Sequence, residues 1–192
     1  DYDFDQLSND FVSVFLDART DTFDDGYFPS QGINAGLSYD WTFAGFPSKV
    51  HNFHTLQMDA KVVASVFERL AFIPSFNFRF LLGKDIPVAY FNAVGGSLPG
   101  RYMDQQMAFL GVTNLSAMKN FLTVYRADLR YTLAKNHYLT ATVNYARDCD
   151  DFREYAYGPG YFGAALEYSF DTIFGPLSAN IHWSDITHKV GF

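Results

Sequence analysis

"LAFIPSFNFRFLL" (Leu70–Leu82) is the stretch whose reading decides the fold. From Phe72 onward its even positions are Phe72, Pro74, Phe76, Phe78, Phe80 and Leu82, while Ser75, Asn77 and Arg79 stand between them. A period of two is the mark of a strand with two unlike faces. The pattern recurs in "INAGLSYDWTF" (Ile33–Phe43), "TLQMDAKVVA" (Thr55–Ala64), "TVYRADLRYTL" (Thr123–Leu133) and "YFGAALEYSF" (Tyr161–Phe170). In each, aromatic and aliphatic residues face one way and mostly polar or small residues, with Val124 and Ala165 among them, the other. Nothing between these runs has the period of a long helix, so the fold class expected is all-β. Strands are expected at about 11–19, 32–44, 54–67, 70–83, 87–95, 121–134, 137–147, 161–171 and 176–184, with a stub at 187–192.

Composition says which solvent these strands face. The chain has 192 residues, 21 Phe and 13 Tyr, yet only 48% hydrophobic residues and a mean hydropathy of -0.08. Strict alternation reconciles many aromatics with modest hydropathy. No apolar run reaches the roughly 18 residues of a transmembrane helix, whereas several of the strands approach the roughly 9–11 residues that cross a bilayer at a tilt. A soluble sandwich also alternates, but with shorter strands; here the polar face carries Asp59 and Lys61, and Arg126, Asp128 and Arg130, as suits a water-filled or plugged lumen. "ER", "GKD", "AKN" and "DTIFG" are brief connections, whereas "TDTFDDGYFPSQG", "GSLPGRYMDQQMAFLGVTNLSAMKN" and "DCDDFREYAYGP" are long. Short turns at one end and long loops at the other describe an antiparallel transmembrane β-barrel, although the "ER" turn breaks strict alternation on this strand list. A net charge of -7 argues against a nucleic-acid surface. A single Cys149 excludes an internal disulfide framework, and the N-terminus has no signal-peptide pattern, so the chain reads as mature or as a fragment.

Several motifs compete for a chemical role. "VGGSLPGRYMDQQ" (Val94–Gln106) places Ser97 near a nucleophile elbow, but Pro99 stands where the closing glycine of G-x-S-x-G belongs and no helix follows. His51 and His54 in "HNFH" lack a third ligand, "TDTFDDG" misses the calcium-loop spacing, and Cys149 in "RDCDDFRE" has no histidine nearby. No catalytic set, metal or cofactor is expected. Trp41, Trp183 and the tyrosines read as an interfacial aromatic girdle.

Three segments resemble the BamA-like outer-membrane barrels, the bacterial surface-antigen superfamily. "DDGYFPSQGINAGLSYDW" (Asp24–Trp41) resembles the family's seventh-to-eighth strand hairpin. "IPVAYFNAVGGSLPGRY" (Ile86–Tyr102) resembles its eleventh strand and the Gly-Gly exit into a long loop. "GYFGAALEYSFDTIFGPLSANIHWS" (Gly160–Ser184) resembles its fourteenth and fifteenth strands. The resemblance implies that residues 1–192 are one barrel domain, the last ten of sixteen strands, in the outer membrane of a Gram-negative bacterium. It also implies a loop at about 95–120, hinged on Gly95, Gly96 and Gly100, that folds inward. Arg101 and Tyr102 would then meet the inner wall at Asp128, with Glu167 and Asp59 as the other candidate carboxylates. The family's Val-Arg-Gly-aromatic motif is altered here to Pro99-Gly100-Arg101-Tyr102. In this form, "GRYMDQQMAFLG" (Gly100–Gly111) is closest to barrels fused behind a patatin-like phospholipase domain in Bacteroidetes-type bacteria, whose Ser-Asp dyad would lie upstream of this chain. The partners implied are outer-membrane lipid, upstream strands and an N-terminal domain of the same polypeptide, and client outer-membrane proteins. An insertase that assembles other barrels, or a small porin, are the alternatives.

Overall fold

The computed structural model describes residues 11–44, 51–98, 100 and 103–192. Strands β1 (Phe11–Asp21), β2 (Gly32–Ala44), β3 (Phe53–Phe67) and β4 (Leu70–Leu82) form a meander. The chain then makes three short strands, β5 (Asn92–Val94), β6 (Gln106–Met107) and β7 (Ser116–Met118), which pair only with each other. The meander resumes with β8 (Phe121–Ala134), β9 (His137–Cys149), β10 (Gly160–Thr172), β11 (Gly175–Ser184) and β12 (Val190–Gly191). The result is a nine-stranded antiparallel sheet in the order β1-β2-β3-β4-β8-β9-β10-β11-β12, open between its edges β1 and β12.

One expectation fails. Residues 87–95 are not a wall strand: Val88–Tyr90 form a 3-10 turn and Asn92–Val94 belong to the small sheet, so β4 pairs directly with β8 from Leu70↔Tyr131 to Phe80↔Phe121. The segment likened to an eleventh strand is therefore part of the long loop, which runs from 83 to 120. Apolar character in "IPVAYFNAV" serves packing inside the loop, which local periodicity cannot tell from packing in a wall. The correction also removes the misfit of the "ER" turn. With 87–95 taken out, the two-residue turns at 68–69, 135–136 and 173–174 all fall at one end of the sheet, together with loop 22–31. Connections 45–52, 83–120, 150–159 and 185–189 all fall at the other end. The long-loop end is the extracellular one in outer-membrane barrels.

The register sorts residues by face. One outward row runs Tyr39, Leu56, Phe80, Phe121 across β2, β3, β4 and β8. Another runs Ala35, Ala60, Phe76, Tyr125, Tyr145, Phe162 from β2 to β10. Large apolar side chains on this face, including Leu37, Leu129, Leu166 and Ile181, are exposed, as residues that meet lipid must be. From Phe72 to Leu82 the β4 stripe covers about ten residue steps of roughly 3.3 Å, which at a tilt of about 40° gives an apolar band near 25 Å tall. Aromatic clusters mark both rims. Trp41, Phe43, Tyr39 and His54 stack at the extracellular end, and His137, Tyr168 and Phe170 at the other.

Pro74 does disturb the ladder, as a proline in a central strand should. Pairing between β3 and β4 is interrupted between Lys61↔Ser75 and Ala64↔Phe72 without a change of register, whereas the β8 side continues through Pro74↔Ala127. The missing N–H thus falls on the β3 side; the actual register shift lies nearer the turn, between Ser65 and Phe67.

Because Phe78 faces outward opposite Met58 and Asn77 faces the lumen opposite Asp59, arginine should be tolerated at one site only. Phe78→Arg puts an uncovered charge on the lipid-facing stripe, at a cost of up to about 2–4 kcal/mol, and should block assembly in a membrane-folding assay. Asn77→Arg should assemble like the wild type. Equal behaviour of the two would contradict the assignment of faces.

Candidate functional site: an inner face covered by two loops

The inner face of the sheet is not empty. Loop 83–120 turns sharply at Gly95 (φ 151°) and Gly96 (φ 68°); a side chain at Gly95 would run into the carbonyl oxygen of Asn114. The turn brings β5 against β6 in parallel and β7 antiparallel. It also gathers Val94, Met107, Phe109, Val112 and Met118 into one apolar cluster with Leu122 and Val124 of β8 and Ala146 of β9. Phe109 and Val94 are fully buried. The wall therefore has an apolar island on its inner face, which the loop covers and thereby keeps dry.

Around that island the loop is held by polar side chains of three wall strands. Arg79 of β4 donates from Nη1 to the Asn92 side-chain oxygen (2.7 Å) and to the Tyr90 carbonyl (2.9 Å). Asn92, with no exposed surface, donates its amide to the carbonyls of Arg79, Lys119 and Asn120. Asn144 of β9 makes a two-way bond with Leu110, accepting from its N–H (3.1 Å) and donating to its carbonyl (3.2 Å). Asp148 accepts from the Lys119 N–H at 3.0 Å. Ser184, the last residue of β11, donates to the Gly111 carbonyl at 2.9 Å. At Gly163 of β10 the loop backbone comes so close that any side chain there would overlap the Leu110 carbonyl and the Asn144 amide.

At the opposite end the inner face is covered by loop 22–31. Phe28 stacks on Tyr138 at 4.1 Å between ring centres. Arg130 lies over both rings and donates to the Pro29 carbonyl. Phe23 packs on Val63, Ala71 and Ile73, inward-facing residues of β3 and β4. The loop's shape comes from two carboxylates. Asp24 accepts from the hydroxyl and N–H of Ser30 and the N–H of Gln31, and Asp25 from the N–H groups of Tyr27 and Phe28, both at 2.8 Å. Both acids are held below the usual carboxylate range, Asp24 chiefly by the Ser30 hydroxyl and Asp25 chiefly by the Phe28 N–H.

The residues expected from sequence fall in three groups. Arg101 and Tyr102 lie outside the described residues. Gly95, Gly96 and Gly100 all take the positive φ that the hinge requires. The two lumen carboxylates are on the inner face but engaged by wall neighbours. Asp128, 6% exposed, pairs with Arg126 at 2.8 Å and accepts from Thr142 at 2.6 Å; Glu167 accepts from Ser169 at 3.1 Å. Asp59 faces inward opposite Gly36 and Asn77. Ser97 sits in a bend with no helix after it, and His51 and His54 have separate partners, Asp85 and Tyr39. The residues that hold the loop (Arg79, Asn92, Asn144, Asp148 and Ser184) were not singled out by the sequence. Their alternation marks them as inward, but only the fold reveals which backbone groups they meet.

Asn92→Leu keeps the branched outline and removes the bonds, leaving Arg79 and three carbonyls short of partners at about 1–3 kcal/mol for each buried group left unmet. Limited trypsin digestion of the folded protein should then cut within 83–120 much faster than in the wild type; unchanged nicking would mean that the loop is held by other contacts. Acid should loosen the other plug. A lowered folded-state pKa contributes stability that is present above the unfolded value near ~4 and is lost as pH falls through the folded value. A spin label on Gly26→Cys, which has open space around it, should stay immobile at pH 6 and become mobile below about pH 4. Asp24→Asn should give a label that is mobile at both pH values.

Comparison with known proteins agrees with this architecture. No curated protein matches the chain. The family profile described as the OMP85 superfamily matches residues 3–192. An all-β chain whose antiparallel sheet is apolar outside and loop-filled inside, matched along nearly its whole length, belongs to the OMP85 superfamily of Gram-negative outer-membrane β-barrel proteins.

Proposed function

We propose that this chain is the membrane-embedded wall of a sealed barrel that anchors, and helps to export, a patatin-like phospholipase domain on its N-terminal side. The observation that carries the anchoring part is the docking of loop 83–120 on wall strands β4, β9, β10 and β11. A porin needs an open lumen, and this inner face is occupied. The patatin-like part rests on the resemblance of "GRYMDQQMAFLG". The reading of this chain as part of a larger barrel has separate physical support. In a meander of nine antiparallel strands β1 and β12 run in the same direction, so they cannot pair antiparallel, while an edge open to lipid leaves peptide groups unpaired. An odd number of further strands of the same polypeptide solves both problems, and seven would complete a barrel of sixteen.

The test uses the full reading frame expressed in the outer membrane of a Gram-negative host. The purified protein should hydrolyse phospholipid, keep that activity in Ser97→Ala, and show no steady conductance in planar bilayers until residues 97–112 are replaced by a short Gly-Ser linker. Steady conductance of the wild type would favour the porin. Loss of hydrolysis in Ser97→Ala would move the chemistry into this chain. Periplasmic repeat modules in place of a hydrolase would favour the insertase.

A further inference from the structure

Among the described residues the outer wall carries one arginine on its lipid-facing side, and its surroundings are unusual. Arg147 lies in the same outward row as Met58, Phe78, Thr123 and Gly160, two residues beyond Tyr145 toward the extracellular rim. Loop 150–159 folds down over this part of the wall. Tyr155 reaches the outward-facing Thr123 with an O–O distance of 2.5 Å, leaving Thr123 only 4% exposed, and Phe152 meets Phe80 and Phe121. The guanidinium is fixed between the rings of Tyr145 and Tyr155, at 5.8 and 5.7 Å. Its Nη1 donates to the carbonyls of Tyr155 and Ala156, and its Nη2 to the Tyr145 hydroxyl. All these partners are neutral. Its Nε has no hydrogen-bond partner, and among the described residues no carboxylate is within ion-pair distance. The nearest acids in sequence are engaged or turned elsewhere: Asp148 meets the Lys119 N–H on the inner face, Asp150 is 3.7 Å from Lys119 Nζ, Asp151 caps its own 3-10 turn, and Glu154 is in solvent.

Directly below, on the membrane side, is a groove of about 420 Å³. Small residues make its floor: Ala60, Pro74 and Ala127, at the level where Pro74 interrupts the β3–β4 ladder. Phe76, Tyr125, Tyr145 and Phe162 make its rim. Tyr145 belongs to both features, lining the groove with its ring and meeting Arg147 with its hydroxyl.

We infer that the outer wall binds one phosphorylated glycolipid of the outer leaflet, an acyl chain lying in the Ala60–Pro74–Ala127 groove and a phosphate at Arg147. The inference goes beyond anchoring and rests on the family's membrane orientation alone, with no dependence on what precedes the chain. Each end of the ligand answers to a separate feature. The groove is apolar, narrow and open to hydrocarbon, so it takes an alkyl chain. The cation is fixed, partly desolvated and, among the described residues, without a counter-charge, on the long-loop side of the groove, and an unmatched charge in such a place is costly until an anion arrives. The choice of an outer-leaflet lipid follows from the rim on which Arg147 sits, which carries the long loops.

The test uses the full-length protein in a neutral detergent, with diphosphorylated lipid A as probe and thermal stabilisation and native mass spectrometry as readouts. The wild type should bind it saturably, and binding should weaken about ten-fold or more in Arg147→Gln, the worth of one charge-assisted contact. Arg153→Gln, the same charge change in the loop that covers Arg147, should bind like the wild type. Dephosphorylated lipid A should lose as much affinity on the wild type as Arg147→Gln loses for the phosphorylated form. Ala127→Phe fills the groove with an apolar side chain on a lipid-facing position and should weaken binding with Arg147 intact; it carries the test should Arg147→Gln fail to fold. Equal binding by the wild type and Arg147→Gln, equal loss in Arg153→Gln, or equal affinity for phosphatidylglycerol would each overturn the inference.

Discussion

The whole structure answers to one constraint: a peptide group in hydrocarbon has no water to bond with, so each must find its partner in the protein. Pairing strand to strand meets that demand and fixes the alternation of faces, because a strand satisfied along both edges must present one set of side chains to lipid and the other to the lumen. The same demand returns on the inside when the lumen is filled. Loop backbone taken out of water needs partners as much as wall backbone does. It finds them in Asn144, Asp148, Ser184 and Arg79, side chains on the polar face of the wall. The polar face is therefore the second half of a hydrogen-bonding scheme whose first half is the sheet.

Seen this way, the small sheet of β5, β6 and β7 and the apolar cluster around Phe109 are two parts of one plug. The cluster supplies burial against Leu122, Val124 and Ala146, while the Arg79–Asn92 pair supplies direction, since bonds from one buried amide to three carbonyls admit a single orientation. The other end is covered by different means, a proline carbonyl and two stacked rings around Arg130. Each end is covered by a loop that carries its own local folding signal, glycines at positive φ in one and Asx turns in the other.

Much of this was written in the alternation. Eight long wall strands follow from period two, with bounds that agree to within about two residues, and every face assignment in "LAFIPSFNFRFLL" and its counterparts holds. What misled was "IPVAYFNAV". Its apolar residues alternate loosely over a strand's length, and nothing local says that their partners are other loop residues rather than a neighbouring wall strand. The discord was nonetheless visible in the topology, because a strand there forces two short turns onto opposite ends. The inner site was less legible. Gly95 and Gly96 announce a sharp turn, and "MAFLGV" announces packing, but Asn144 and Ser184 are ordinary polar residues on polar faces. Their role depends on which carbonyl arrives opposite them, a matter of tertiary placement. Arg147 was hidden for the opposite reason: a charge near a strand end reads as solvated until the loop that covers it is placed.

The spread of the loop's anchor points has a consequence for how the molecule comes into being. Leu110 waits for Asn144, and Gly111 for Ser184 and Thr187, partners 34, 73 and 76 residues further along the chain. Contacts of such separation form late, because the chain between them must first be ordered. The Gly111 end of the plug therefore cannot be fastened on a wall whose last strands are unpaired or out of register, and it stays loose until β11 is seated. That fastening acts as a completion signal, reporting at one end of the lumen that the opposite end of the sequence has arrived.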